Sequence, residues 1–449
     1  MRFTLKRTPD RSVVLVVIAK AWNTLTGILT LFLVARRLSP EAQGYYYLLL
    51  SLGALQMFAE LGLSVALTNL VSHEIAELRW DDRRNLRGPQ QSLDRVQSLL
   101  KFGSRWFNLA AGGLAITLPL VGWIYLSSLD KHANPQSAFT PWLLYVAGVS
   151  VSLALEGKLS FLLGAGQSEA VSRCRLLQAV SSSIVIWGAL IGGAGLWALG
   201  LSVLLPAIGN LVWIQRLFGN YFETSRPVLS KSSGIDWRRD VWPFQWKIGL
   251  SFLSGFFLSQ IITPIVLRQH GPIAAGRFGL SLQVVTSINA IAYVWINTKA
   301  ASYGALISSG AFDTLRTEFW KAAIGSSLLA AAGFTSIAAI VGSGLMNSLQ
   351  NRVLPTRFFI WLCLLGFCNH IIFTMASFLR SLRTDPLWRI SLVQGAVTTV
   401  VALAASRSPY TSALRALTLG TVAIGLPGCY LIFRRLWDVT LSGKNRLPN

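Results

Sequence analysis

Long apolar runs separated by short polar segments dominate the pattern of this chain. A helix that crosses a bilayer needs about 20 mostly apolar residues. Twelve runs satisfy that length, beginning near Ser12, Gly44, Trp106, Pro141, Leu176, Gly195, Ile248, Phe278, Phe319, Phe358, Leu387 and Ala413. Only Gly192-Gly193-Ala194-Gly195 parts the fifth run from the sixth. The pattern predicts an all-α polytopic membrane protein with about 12 transmembrane helices. No A-x-A cleavage site follows the charged start and its apolar run, so this stretch is expected to be a first span and not a removed signal.

Composition narrows the class. Of 449 residues, 53% are hydrophobic and 13% charged, against about a quarter charged in soluble proteins. That disfavours a soluble enzyme, a disordered chain and a disulfide scaffold. The 40 Lys and Arg outnumber the 18 Asp and Glu, for a net charge of +22. In a soluble protein this excess would suggest nucleic acid. Among membrane spans it fits basic cytoplasmic loops and anionic lipid, and no nucleic-acid partner is expected. With the N-terminus in the cytoplasm, inside segments carry 30 of the 40 basic residues, opposite loops carry 9, and Lys20 lies within the first span. This count favours an even number of spans with both termini cytoplasmic. Cys174, Cys363, Cys368 and Cys429 lack metal-ligand spacing and read as small buried hydrophobes. No metal or cofactor is expected, and without a Walker A motif neither is direct ATP drive.

The loops suggest two halves. Cytoplasmic loops are longest at His73 to Arg105 and Gln215 to Lys247, and the second holds Arg226-Pro227, Lys231-Ser232-Ser233-Gly234 and Arg238-Arg239. The expected organisation is an N-terminal six-helix bundle over 1–220, a basic linker over 221–246, a C-terminal six-helix bundle over 247–440 and a tail over 441–449. A short repeat supports it. Arg36, Pro40, Ala42 and Gly44 recur 232 positions later as Arg268, Pro272, Ala274 and Gly276, and Leu48 and Leu50 match Leu280 and Leu282. Each copy reads as a tight outside hairpin, with Pro stopping a helix and Gly permitting the return. Six spans per half give a parallel pseudo-repeat, an organisation suited to alternating access.

Polar groups within spans cost about 2.5–3.5 kcal/mol each when charged, so they are functional candidates. Lys20 and Asn23 lie on one stripe of span one, with Thr24 and Gly27, and Gln56 and Glu60 lie in span two, followed by Ser64. Lys20 and Glu60 are placed to pair. Span four carries Glu156 and Lys158, span eight Gln283, Thr286, Tyr293, Asn297 and Lys299, and span ten His370. Each has a plainer reading: Lys158 and Lys299 as snorkelling side chains, Glu60 as neutraliser of Lys20, His370 as a packing residue, and the amides as interhelical glue. Trp106, Trp142 and Trp437 read as interface anchors.

The hairpin from Arg36 to Gly44, followed by Ala59-Glu60-Leu61-Gly62-Leu63, resembles the start of polysaccharide (O-antigen) transporters. These are Wzx-type flippases for lipid-linked oligosaccharides, in the MOP superfamily with multidrug and toxic compound extrusion (MATE) transporters. Gly279 to Gln283, Asn297-Thr298-Lys299-Ala300, Tyr303-Gly304, Gly310 to Asp313, Leu379-Arg380 near Asp385-Pro386, and Gly425-Leu426-Pro427 are similar too. The chain departs at Ala300-Ala301-Ser302, where many members have a Pro. Its twelve spans fall short of the fourteen of lipid II flippases. The resemblance implies two six-helix bundles in a bacterial inner membrane. It also implies export of an undecaprenyl-pyrophosphate-linked glycan, with a coupling cation (H+ or Na+) and polysaccharide assembly proteins as partners. The alternatives are a cation-coupled drug exporter, a structural scaffold of an assembly complex, and a membrane-embedded polymerase or ligase. For that enzyme, the short outside loops offer only Glu41, Asp130, His132 and His270 as main catalytic candidates.

Overall fold

The computed structural model describes residues 11–60, 62–75, 78–81, 85–129, 135–224, 249–250, 256–257, 260–343, 350–382, 386–404 and 410–441. Ten helices among them are long and apolar enough to cross a membrane, and a shorter apolar helix runs from Trp388 to Ala404. The protein is an all-α polytopic membrane protein. The start of the seventh span, most of the linker over 221–246 and the tail beyond Leu441 lie outside the described residues.

By its packing the chain divides into two compact units, Met1–Leu38 with Leu52–Phe252, and Ser39–Ser51 with Leu253–Asn449. The first contains α1 (Arg11–Arg37), then the later pieces of span two after α2 (Pro40–Gly53), namely α3 (Gln56–Glu60) and α4 (Leu63–Glu74). It continues with α5 (Gln90–Ser127), α6 (Phe139–Gly164), α7 (Ser168–Ile191) and α8 (Trp197–Thr224). Helix α6 packs on α5 and α8, and α7 on α1 and α8. Small residues allow this: Gly148 of α6 meets the backbone of Leu204, and Gly200 of α8 meets Leu144. The Gly192-Gly193-Ala194-Gly195 segment is the turn between α7 and α8.

Two expectations change in this unit. Residues 73–105 are not simply a loop. Strand β1 (Arg79–Trp80) pairs with β2 (Leu86–Arg87), and α5 begins at Gln90. The Trp80 indole pins this hairpin by donating to the Ala165 carbonyl at 2.7 Å, against the rings of Phe218 and Tyr221. At 38 residues, α5 is about 57 Å long at 1.5 Å per residue, well over the slab's ~30 Å, so its opening turns extend past the apolar part. Secondly, Trp142 is no interface anchor. It is fully buried and donates to the Leu118 carbonyl at 3.0 Å.

The second unit contains Ser39 and residues 40–51 of α2, then α9 (Ile262–Ser308), α10 (Phe312–Ser343), α11 (Thr356–Ser381) and α12 (Trp388–Ala404). It ends with α13 (Tyr410–Gly420), a π-turn over Thr421–Gly425, and α14 (Leu426–Leu441). An aromatic cluster of Tyr303, Phe319, Phe378, Phe433 and Trp437 joins α9, α10, α11 and α14. Trp437 sits inside it, 4.8 Å from Phe378 between ring centroids, and is buried, not anchored at an interface.

The repeat becomes physical here, with a corrected role for its glycines. In the first copy the helical run breaks at Leu38–Ser39. The Ala42 N–H donates to Ser39 Oγ at 3.1 Å, and Pro40 opens α2 at a position where its missing N–H costs nothing. In the second copy the break is Gly271 (φ 81°, ψ 174°), again immediately before the proline, Pro272. Gly44 and Gly276 lie within helices and make no turn. They are notches. A Cβ on Gly44 would overlap the Pro272 carbonyl oxygen, and one on Gly276 would meet Gly44 N at 2.9 Å and Pro40 O at 3.1 Å. Gly279 receives the Tyr47 side chain in the same way. Position 44 matches 276, 40 matches 272 and 47 matches 279, each 232 apart, so the crossing is reciprocal. Gln43 locks it by donating to the carbonyls of Gly276 (2.8 Å) and Arg352 (3.0 Å). Arg36 and Arg268 point outward, exposed.

Candidate functional site

The second span is broken. Helix α2 stops at Gly53, α3 has five residues, and Gly62 (φ 71°, ψ 14°) separates α3 from α4. Breaks within an apolar slab free backbone groups that need partners, so such breaks are tolerated only against protein or a hydrated cavity. One freed carbonyl, that of Ala59, accepts from the Trp106 indole at 3.3 Å. Trp106 therefore supports the break.

Glu60 ends α3 at this break. Ser64, one turn on, donates to Glu60 Oε1. Helix α6 repeats the arrangement, with Ser160 donating to Glu156 Oε1 at 3.5 Å. Thr68 ties the two motifs, donating to the carbonyls of Ser64 (2.8 Å) and Ser160 (3.1 Å). Glu60 and Glu156 are within electrostatic reach of each other. Arg175 of α7 donates to Glu156 Oε1 at 2.9 Å and completes the cluster. Two carboxylates, one held by a guanidinium and one by a hydroxyl, form a site able to take up a proton or a cation.

Both carboxylates stand out in the sequence, whereas Arg175 does not. It reads there as a loop cation, but α7 begins at Ser168 and carries it two turns in. The side chain of Lys20 lies outside the described residues, so its pairing with Glu60 has no geometry here. Asn23 is exposed on α1, and Gln56 is half-buried on α3.

Lys158 departs from this cluster. Its ammonium lies 5.2 Å from the Phe222 ring centroid of α8. It lines a cleft of about 360 Å³ with Lys101, Ser104, Arg105 and Asn108 of α5 and Gln215 of α8.

The second unit holds its own polar groups. Lys299 of α9 donates to Glu318 Oε2 of α10 at 2.6 Å, a partner that the sequence does not single out. Gln283, Thr286 and Asn297 of α9 are exposed, but Tyr293 turns inward. It stacks on His370 at 5.1 Å with the rings 3° apart, and on Phe373 at 3.9 Å. His370 is fully buried, with Nε2 at 3.2 Å from Ser326 Oγ. Among the described residues no group of three or more His, Cys, Asp or Glu is suited to hold a metal ion, and the four cysteines are buried free thiols.

The fold is similar to those of several solved membrane transporters. The chain superposes on an inward-facing multidrug resistance MATE family transporter with a TM-score of 0.65, 12% identity, and 99% of this chain and 98% of that one covered. Against the MATE multidrug transporter DinF-BH the TM-score is 0.63 at 12% identity, over 98% of both chains. Against the lipid II flippase MurJ in an inward closed conformation it is 0.60 at 12% identity, over 97% and 94%. No protein-family model matches the chain, and no curated protein sequence does.

Proposed function

We propose that this protein is a flippase that moves an undecaprenyl-pyrophosphate-linked oligosaccharide from the cytoplasmic to the periplasmic leaflet by alternating access, in polysaccharide or O-antigen synthesis. The carrying observation is the broken second span, with Glu60 at the break beside Glu156 and Arg175. Transporters build coupling and substrate sites on discontinuous helices of this kind. The likeness of the fold to the lipid II flippase MurJ supports the reading, as do the +22 charge and its 40 basic residues, which suit a pyrophosphate headgroup. In this reading the protein lies in a bacterial inner membrane with both termini cytoplasmic. The halves 1–220 and 247–440 act as the two six-helix bundles. Lys20 holds the anionic headgroup, and Glu60 or Glu156 competes for it, so that uptake of H+ or Na+ alternates with substrate. It works as a carrier and not as an enzyme, alongside polysaccharide assembly proteins.

The carboxylate pair also favours a second reading, a cation-coupled drug exporter, as does the fold's likeness to MATE transporters. Deleting the gene separates them. A flippase deletion accumulates lipid-linked oligosaccharide in the inner leaflet and loses surface glycan. An exporter deletion sensitises cells to cationic drugs and leaves the glycan intact. Lys20→Ala is expected to abolish glycan display while the protein still accumulates in the membrane. Normal display in that variant removes Lys20 from the mechanism.

A further inference from the structure

We propose that the cleft between α5, α6 and α8 is a binding site for a phosphate group, carried by an anionic membrane lipid or by soluble phosphate. It is distinct from the carboxylate cluster. On α5, Lys101, Ser104, Arg105 and Asn108 recur at i, i+3, i+4 and i+7, so one helix face delivers two cations, a hydroxyl and an amide to one wall. Lys158 of α6 and Gln215 of α8 supply the facing wall. Among the described residues no carboxylate lines the cleft, and Arg105 and Lys158 have no carboxylate partner.

Arg105 and Lys158 share one cleft of about 360 Å³ and repel each other unless an anion joins them. The donor set suits phosphate: a guanidinium fork, two ammonium groups, a hydroxyl and two amides. Phe222 holds Lys158 in place by its ring face at 5.2 Å. Leu100 and Phe222 make the apolar flank of the cleft. One turn along α5 from Arg105 stands Leu109, 76% exposed, where an acyl chain would lie if the phosphate belongs to a lipid. The cations also sit in the early turns of α5, before its apolar part, at the level where headgroups meet a span.

The test uses the full-length protein in phosphatidylcholine vesicles doped with phosphatidylglycerol. After detergent extraction, the two lipids retained per protein are measured by mass spectrometry. Wild type is expected to retain phosphatidylglycerol preferentially, and Arg105→Gln with Lys158→Gln to lower that preference about thirtyfold. Arg105→Lys with Lys158→Arg, which keeps the charges, is expected to retain the lipid and guards against misfolding. Arg316→Gln with Lys321→Gln, which removes two cations from α10 instead, is expected to change nothing. Displacement of retained lipid by inorganic phosphate, or phosphate binding without lipid preference, assigns the site to soluble phosphate. The proposal is overturned if wild type binds neither probe, if the neutralised variant binds like wild type, or if the α10 control loses as much.

Discussion

At the scale of single residues, the pair to test is Glu156 and Arg175. Their contact is 2.9 Å, with the arginine side chain 50% exposed and the glutamate 26%. Solvent at the arginine weakens the pair, but the carboxylate is left poorly solvated when the guanidinium goes. Arg175→Gln is therefore expected to destabilise the protein by about 1–2 kcal/mol, read as a lower thermal midpoint in detergent. Glu156→Gln in the same background should recover most of that loss, because the uncompensated charge is gone. A double variant no more stable than Arg175→Gln alone would show that the arginine acts elsewhere. The carboxylates are legible in the sequence because charge inside an apolar run is rare. Arg175 is not, since it follows Glu169 and Arg173 closely and so reads equally as loop. Glu318 escapes for the same reason: it lies one turn and a half into α10, where Asp313 and Arg316 give the stretch a solvated character.

Among elements, the crossing of α2 and α9 makes the sharpest claim. Any side chain at Gly44 meets the backbone of Pro272, which has no rotamer to yield. Gly44→Val is expected to prevent accumulation of folded protein. Gly276→Ala, whose nearest obstacles stand at 2.9 and 3.1 Å, should cost about 1–3 kcal/mol. Size-exclusion profiles and thermal midpoints in detergent distinguish the two, and a monodisperse Gly44→Val protein would disprove tight contact. The repeat itself is readable, but its role is not. A glycine four residues after a proline has the same signature whether it turns the chain or notches a helix. Helix α5 is hidden by its charges. Asp94, Arg95, Lys101 and Arg105 suggest loop, yet the buried positions Val96, Leu99, Leu100, Gly103 and Phe107 already follow the helical period. The break at Gly62 is invisible because hydrophobicity runs straight across it.

For the whole molecule, the assignment of Ser39–Ser51 to the second unit matters most. Residues 1–246 and 247–449 expressed as separate chains are expected to co-purify through a tag on either one, because the first carries a helix whose packing partners belong to the second. Gly44→Val should abolish the capture. Equal recovery with that substitution would mean that this helix does not hold the fragments together. The membrane-length helices can be read from hydropathy, which is a property of the chain's own segments. The exchange of one segment between units cannot, because it depends on which distant surfaces fit.

That exchange imposes a waiting time on biosynthesis. Residues 40–47 leave the ribosome 232 positions ahead of residues 272–279, the surface they fit. At ~5–20 residues per second, the delay is roughly 10–50 s. Throughout that interval the newborn helix lacks the surface that its glycine notch fits.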